Sequence, residues 1–158
     1  MIENNKAVVF RVGNEEYATP IPFVISIEKM EGITPIPHLP SYVRGIVKVR
    51  GELIPVVDFE EILYSRTLPD SGSARMIVLQ TDELSFAVLV NEAKEILDIP
   101  ADCLKQPGLI AYQKTNYFTG VANFESRLIT IIDPAKLVES LEGIREIKKY
   151  MKTQHTTA

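Results

Sequence analysis

Few residues in this chain are of types that do covalent or proton-transfer chemistry. Its 158 residues hold two histidines, His38 and His155, and one cysteine, Cys103. His38 stands in a proline-rich run and His155 near the C-terminus, where chains fray. Both read as solvated residues rather than catalytic bases. An activated thiolate needs a histidine or helix-end partner. Nothing in the sequence identifies one for Cys103, flanked by Asp102 and Leu104, so it reads as inert. A lone cysteine also excludes a disulfide framework or a thiolate metal site within one chain. Asp58 and Asp133 could pass for a paired acid and base. Each stands directly before a helix-like segment, however, and capping is the stronger reading. Nucleophile-elbow, phosphate-loop, zinc-helix and dinucleotide-binding glycine motifs are all missing. The residues call for no cofactor and no metal, and they do not suggest an enzyme.

Composition narrows the remaining classes. With 46% hydrophobic and 24% charged residues the chain is ordinary for a soluble globular protein. Its net charge of −4 argues against a nucleic-acid surface, which needs a basic stripe. It has no apolar run of about 18 residues, the length a membrane helix requires. Met1 to Lys6 lacks a signal-peptide core. A cytoplasmic protein is expected.

The elements that would position any site are organised around Gly45 to Phe59. Val47 and Val49 share one face of a strand; Arg50-Gly51-Glu52 turns the chain; Leu53 to Val57 is apolar on both faces. Pro55 cannot donate to a ladder, which predicts an edge or bulge there. Asp58 opens a short helix, and Glu61 three residues on completes a capping-box pattern. The same stretch recurs 75 residues later: Gly45 falls on Gly120, Leu53-Ile54 on Leu128-Ile129, Val56-Val57-Asp58 on Ile131-Ile132-Asp133. Upstream the offset is 69, with Phe10 on Leu79, Tyr17-Ala18 on Phe86-Ala87, Val24 on Ala93 and Ile27 on Ile96. Agreement in order through several elements indicates an internal duplication.

Two units of about 70 residues with five short strands each predict an all-β fold of two SH3-like barrels. Short helices and a C-terminal helix complete it. Leu68 to Ser73 is the clearest connector, so residues 1–72 form the first half and 73–158 the second half plus the C-terminal helix, as one integrated domain whose chain ends can cross between barrels. Ile21, Val24 and Ile27 lie three apart and predict a helical turn running into a strand. Residues 100–116 read as a long loop. From Pro134 onward, Leu137, Leu141, Ile144, Ile147 and Met151 predict one helix with one apolar stripe, in which Gly143 costs about 1 kcal/mol relative to Ala.

Two features invite a functional reading. The apolar Ile21, Val24 and Ile27 fit ordinary core, and they also fit a seam between barrels that takes a partner's helix. Arg50 fits a solvated turn, and equally a guanidinium fork at an interface. The residues alone favour ordinary core for the three apolar side chains and leave the two readings of Arg50 open. A small barrel binding oligosaccharide or single-stranded nucleic acid is the rival class. It would need exposed aromatics and, for nucleic acid, positive charge, while this chain has no Trp and is acidic.

The run Tyr42-Val43-Arg44-Gly45-Ile46-Val47-Lys48-Val49-Arg50-Gly51-Glu52-Leu53-Ile54-Pro55-Val56-Val57-Asp58-Phe59 resembles the signature of the bacterial chemotaxis coupling family, CheW. Glu16-Tyr17-Ala18, Ile27-Glu28, Pro35-Ile36-Pro37 and Tyr117-Phe118-Thr119-Gly120 add to the likeness, which spans roughly Val8 to Val138. Lys48-Val49 stands where the family usually has Asn-Leu, Asn91 where it has Asp, and Ala93 where it has Val. The resemblance implies a non-catalytic adaptor, recruited to membrane-associated receptor arrays. It would join a chemoreceptor's cytoplasmic helical hairpin to the regulatory domain of the histidine kinase CheA. By the same resemblance Val8, Ile21, Val24, Ile27 and Ala93 match an apolar receptor groove, and Arg50 the arginine implicated in coupling. Ile33, Ile36, Tyr42 and Arg44 are then expected on the kinase-binding surface.

Overall fold

The alternating apolar runs form strands and the aspartate-led segments form short helices. The structure, a computed structural model, describes residues 6–69, 72–100, 104–105, 117–124 and 126–156. In chain order come β1 (Lys6–Val12), β2 (Glu15–Pro20), a 3-10 turn (Ile21–Phe23) and β3 (Val24–Lys29). Next are β4 (Val43–Val49), β5 (Glu52–Asp58), α1 (Phe59–Tyr64), β6 (Arg75–Gln80), β7 (Ser85–Val90) and β8 (Glu92–Asp98). The chain ends with β9 (Leu104–Lys105), β10 (Phe118–Phe124), β11 (Arg127–Ile132), α2 (Pro134–Ser140) and α3 (Ile144–Thr156). One sheet runs β3-β6-β7-β5-β4 and the other β8-β1-β2-β11-β10, extended by the two-residue β9. The fold is all-β, two SH3-like barrels with short helices.

The duplication is visible in the strand register. Val56 lies opposite Ala87 in the parallel β5–β7 pair, and the equivalent Ile131 lies opposite Ala18 in the parallel β11–β2 pair. Leu79 faces Val24 as Phe10 faces Ala93. Both of these pairs skip one residue, Ile25 in β3 and Lys94 in β8, and these two are again 69 apart. The β4–β5 and β10–β11 hairpins both break register just before Gly45 and Gly120.

The division at 72/73 separates the two copies but cuts through both barrels. Each barrel takes the first hairpin of one copy and the later strands of the other. A parallel pair cannot be joined by a tight hairpin, so β5 and β11 meet partners from distant sequence. At Pro20-Ile21-Pro22 the 3-10 turn carries the chain from one sheet into the other.

Four packed clusters follow among the described residues. Val47, Ile54, Val56, Met76 and Val78 fill the five-stranded barrel. Ala7, Val9, Ala18, Ala122 and Ile129 fill the other, with smaller side chains. The largest cluster lies in the seam and draws on both sheets, α1 and α2. Its centre is aromatic: the Phe59 ring sits 5.9 Å from Phe10 and 5.8 Å from Tyr17. The fourth, Ile46 with Ile147 and Met151, lies under α3.

Both aspartates cap. Asp58 Oδ1 accepts from the Glu61 amide at 3.2 Å, and Asp133 Oδ1 from the Ala135 amide at 2.9 Å. The expected capping box at Asp58 stays half-made, because the Asp58 amide already donates to the Tyr42 carbonyl at 2.7 Å. Glu61 Oε2 is left buried without a partner. Pro55 sits within the sheet, between β4 and β7, and not at an edge. It is tolerated because β7 pairing begins one residue later, at Val56. Ile46 opposite also turns its backbone N–H and C=O to Thr34.

The single C-terminal helix expected from the apolar stripe is two helices. Leu141 is extended and Gly143 takes φ +84°, where an added Cβ would sit 2.7 Å from Pro40 Cγ. The break lets one stripe serve two cores: Leu137 and Leu141 pack in the seam, Ile147 and Met151 on β4 and β5. The backbone helix runs to Thr156 and so takes in His155, which the sequence placed in a fraying end. Cys103 and nearly all of the 100–116 loop fall outside the described residues.

Candidate protein-binding site

The 3-10 turn and β3 bring Ile21, Val24 and Ile27 to the seam. Ile21 and Val24 are half-buried against the seam core. Ile27, opposite the buried Ile77, is 42% exposed. A large apolar residue held in water on a well-packed strand marks a contact surface when its neighbours extend it. Here the duplication supplies the extension. Val24 maps onto Ala93, half-buried on β8, and Ile27 onto Ile96, which is 59% exposed opposite Val8. The seam core therefore carries two rims of like construction, Val24 and Ile27 on β3, Ala93 and Ile96 on β8.

Ile96 is not among the residues that the sequence marks for this surface. The signal was present, because the offset of 69 already pairs it with Ile27. Val8 lies beneath the rim rather than on it, 2% exposed within the seam core. Arg50 stands apart from these residues. It is exposed at the tip of the β4–β5 turn with φ +52°, beside Gly51 at +83°, and β4 is the strand farthest from β3 in the sheet order. Both turn residues are left-handed, the geometry of a tight two-residue hairpin.

Asn91, which stands where the resembled signature usually has aspartate, is an anchor. Its Oδ1 accepts from the Gly13 amide at 2.8 Å, and its amide donates to the Arg11 carbonyl at 2.9 Å. An aspartate would offer the same acceptor oxygen, so this departure preserves the joint.

The second predicted group spreads over the five-stranded barrel. Ile33 packs against that barrel's interior, and Ile36 and Tyr42 against the cluster under α3. The Tyr42 hydroxyl donates to the Glu142 carbonyl. Burial, with Glu142 and Glu146 nearby, pushes its pKa up to about 12. Arg44 Nη1 meets Asp58 Oδ2 at 3.0 Å. Asp58 is fully buried and also accepts from the Leu68 amide at 2.9 Å. Arg44 is therefore half-buried and committed to an internal ion pair. Among the described residues no cluster of three histidine, cysteine or acidic side chains could hold a metal ion. No helix among them is long and apolar enough to cross a membrane.

Comparison with known proteins agrees with this geometry. The profile of the CheW-like domain matches residues 6–142. Chemotaxis protein CheW of Rhizobium meliloti is 29% identical over 127 residues, covering 80% of this chain and 82% of the relative. Protein FrzA of Myxococcus xanthus is 25% identical over 133 residues, covering 83% of each. The crystal structure of the scaffolding protein TtCheW from Thermoanaerobacter tengcongensis superposes with a TM-score of 0.74 at 26% identity, covering 84% of this chain and 86% of that one. The chain belongs to the CheW-like family, whose members are non-catalytic chemotaxis scaffold proteins.

Proposed function

We propose that this protein couples a chemoreceptor's cytoplasmic helical hairpin to the regulatory domain of a CheA-type histidine kinase. The observation that carries the receptor half is the pair of exposed isoleucines, Ile27 and Ile96, at equivalent places on the two rims of the seam. An amphipathic helix laid along the seam would cover both, which is how apolar helices recognise grooves. Val24, Ala93 and Ile21 flank that contact, Val8 supports it from below, and Arg50 supplies a cation for a separate polar contact. The kinase half docks a barrel of similar build on the five-stranded barrel around Ile33, Ile36 and Tyr42. Arg44 serves there by fixing β4 through Asp58. The protein works in the cytoplasm, drawn to receptor arrays at the membrane by these contacts.

Two modest contacts on one rigid body raise the local concentration of each partner for the other, and differential binding passes a change of state between them. The test is a calorimetric titration of the kinase regulatory domain into this protein already saturated with receptor hairpin. One-to-one binding to the preformed complex is expected. Displacement of the receptor by the kinase would show overlapping sites and end the adaptor reading.

A further inference from the structure

The match to the CheW-like domain ends at residue 142, and α3 begins two residues later. Helix α3 thus lies outside the matched region. It lies on the outer face of β4 and β5, where Ile147 is 1% and Met151 3% exposed. Ile36, Tyr42, Val43 and Leu53 pack around the cluster these two build with Ile46. Among the described residues no helix covers the equivalent outer face of the other barrel. Leu128, the counterpart of Leu53, is 66% exposed there.

The junction that precedes α3 is fastened as well. Tyr42 bonds to the Glu142 carbonyl, and Gly143 with its left-handed backbone fits against Pro40. Further along, the Lys148–Glu83 ion pair at 2.8 Å is partly exposed. A cleft of about 380 Å³ lies beside Met151 and Lys152, against Glu52, Ile54 and Ser85. A 13-residue helix is marginal by itself in water, so α3 holds its form through this docking.

Two of the residues assigned above to the kinase surface, Ile36 and Tyr42, are the ones that α3 and its junction cover. We infer that α3 is an internal competitor for the kinase-docking face. It shields the β4–β5 face in the free protein, and the kinase barrel binds by displacing it. This inference rests on the adaptor reading. Affinity for a partner that needs a fractionally populated state falls by that fraction. A helix docked nine-tenths of the time therefore lowers kinase affinity about tenfold.

The experiment uses the full chain in three forms: wild type, Ile147→Glu and Gly143→Ala. The first substitution spoils the covered face of α3, and the second strains its junction without touching that face. Each is titrated with the kinase regulatory domain, and hydrogen exchange of the α3 amides is followed in wild type. The expected result is a rise in kinase affinity of about tenfold in both variants, with loss of α3 protection when wild type binds. Unchanged or weaker binding by the variants, with α3 still protected in the complex, would overturn the competitor role while leaving the adaptor reading in place. Failure of all three forms to bind the kinase domain would remove both.

Discussion

The units β4–β5–α1 and β10–β11–α2 are the same design built twice, and they differ where charge is buried. In the first, Asp58 is sealed from water and holds Arg44, the Glu61 amide and the Leu68 amide together. In the second, Thr119 replaces Arg44, and the half-buried Asp133 only caps its helix. The barrel ends show the reverse. Arg127 enters the six-stranded barrel's end and binds Glu16 at 2.6 Å and Glu95 at 3.0 Å, tying β11 to β2 and β8. The equivalents in the other barrel are Glu52, Ser85 and Ser26, which cannot form that network, and Ser26 Oγ is buried without a partner. Duplication thus conserved the backbone plan, through register, bulges and caps, while each copy acquired its own polar fastening. A polar joint needs complementary partners from several strands at once, so it cannot be copied piecemeal.

The contrast can be tested, starting with the largest effect. Asp58→Ala should cost roughly 3 kcal/mol in denaturant unfolding, because Arg44 and two amides lose their acceptor. Asp133→Ala should cost about 1 kcal/mol, the value of an N-cap. Equal costs would break the comparison. Gly45→Ala should destabilise by about 2–3 kcal/mol. At φ +143° its new Cβ would lie 2.1 Å from the Thr34 carbonyl oxygen, and the Thr34–Ile46 bridge would have to open. Arg127→Gln should cost about 1 kcal/mol, since its partners are only part-buried. Glu52→Gln, at the matching place, should stay within about 0.5 kcal/mol.

The smallest difference is expected between Tyr42 and Tyr117, which occupy equivalent places. Burial pushes both up to about 12 from 10.0. The folded state holds these protons more tightly than the unfolded one. Their contribution to stability is therefore complete below pH 10 and is lost as pH rises through 12. Tyr17 shifts the same way, from burial and its hydrogen bond to Tyr64. Ring NMR signals assigned to Tyr17, Tyr42 and Tyr117, followed through an alkaline titration, should show these three ionising together with unfolding. Ionisation near pH 10 in the folded state would contradict their burial.

Much of this architecture was legible in the residues. The offsets of 75 and 69 gave the duplication, and Asp58 and Asp133 gave the helix starts. The partner choice of each hairpin was not legible, because alternation says which face of a strand is buried and not which strand lies beside it. The stripe from Leu137 to Met151 concealed a break, since its period is blind to Gly143 turning left-handed against Pro40. Of the proposed groove, β3's contribution stood out through Ile21, Val24 and Ile27. Ile96 was masked by its charged neighbours Lys94 and Glu95, which on an edge strand point elsewhere. Arg44 looked like a surface cation because its partner, Asp58, was already accounted for as a cap.

The most direct test of the groove is a titration of a receptor-tip helical hairpin into wild type, Ile27→Glu and Ile96→Glu, with kinase-domain affinity measured alongside. Loss of receptor binding in both variants, with kinase affinity unchanged, is the expected result. Receptor affinity equal to wild type in either variant would show that the two rims of the seam do not share one helix.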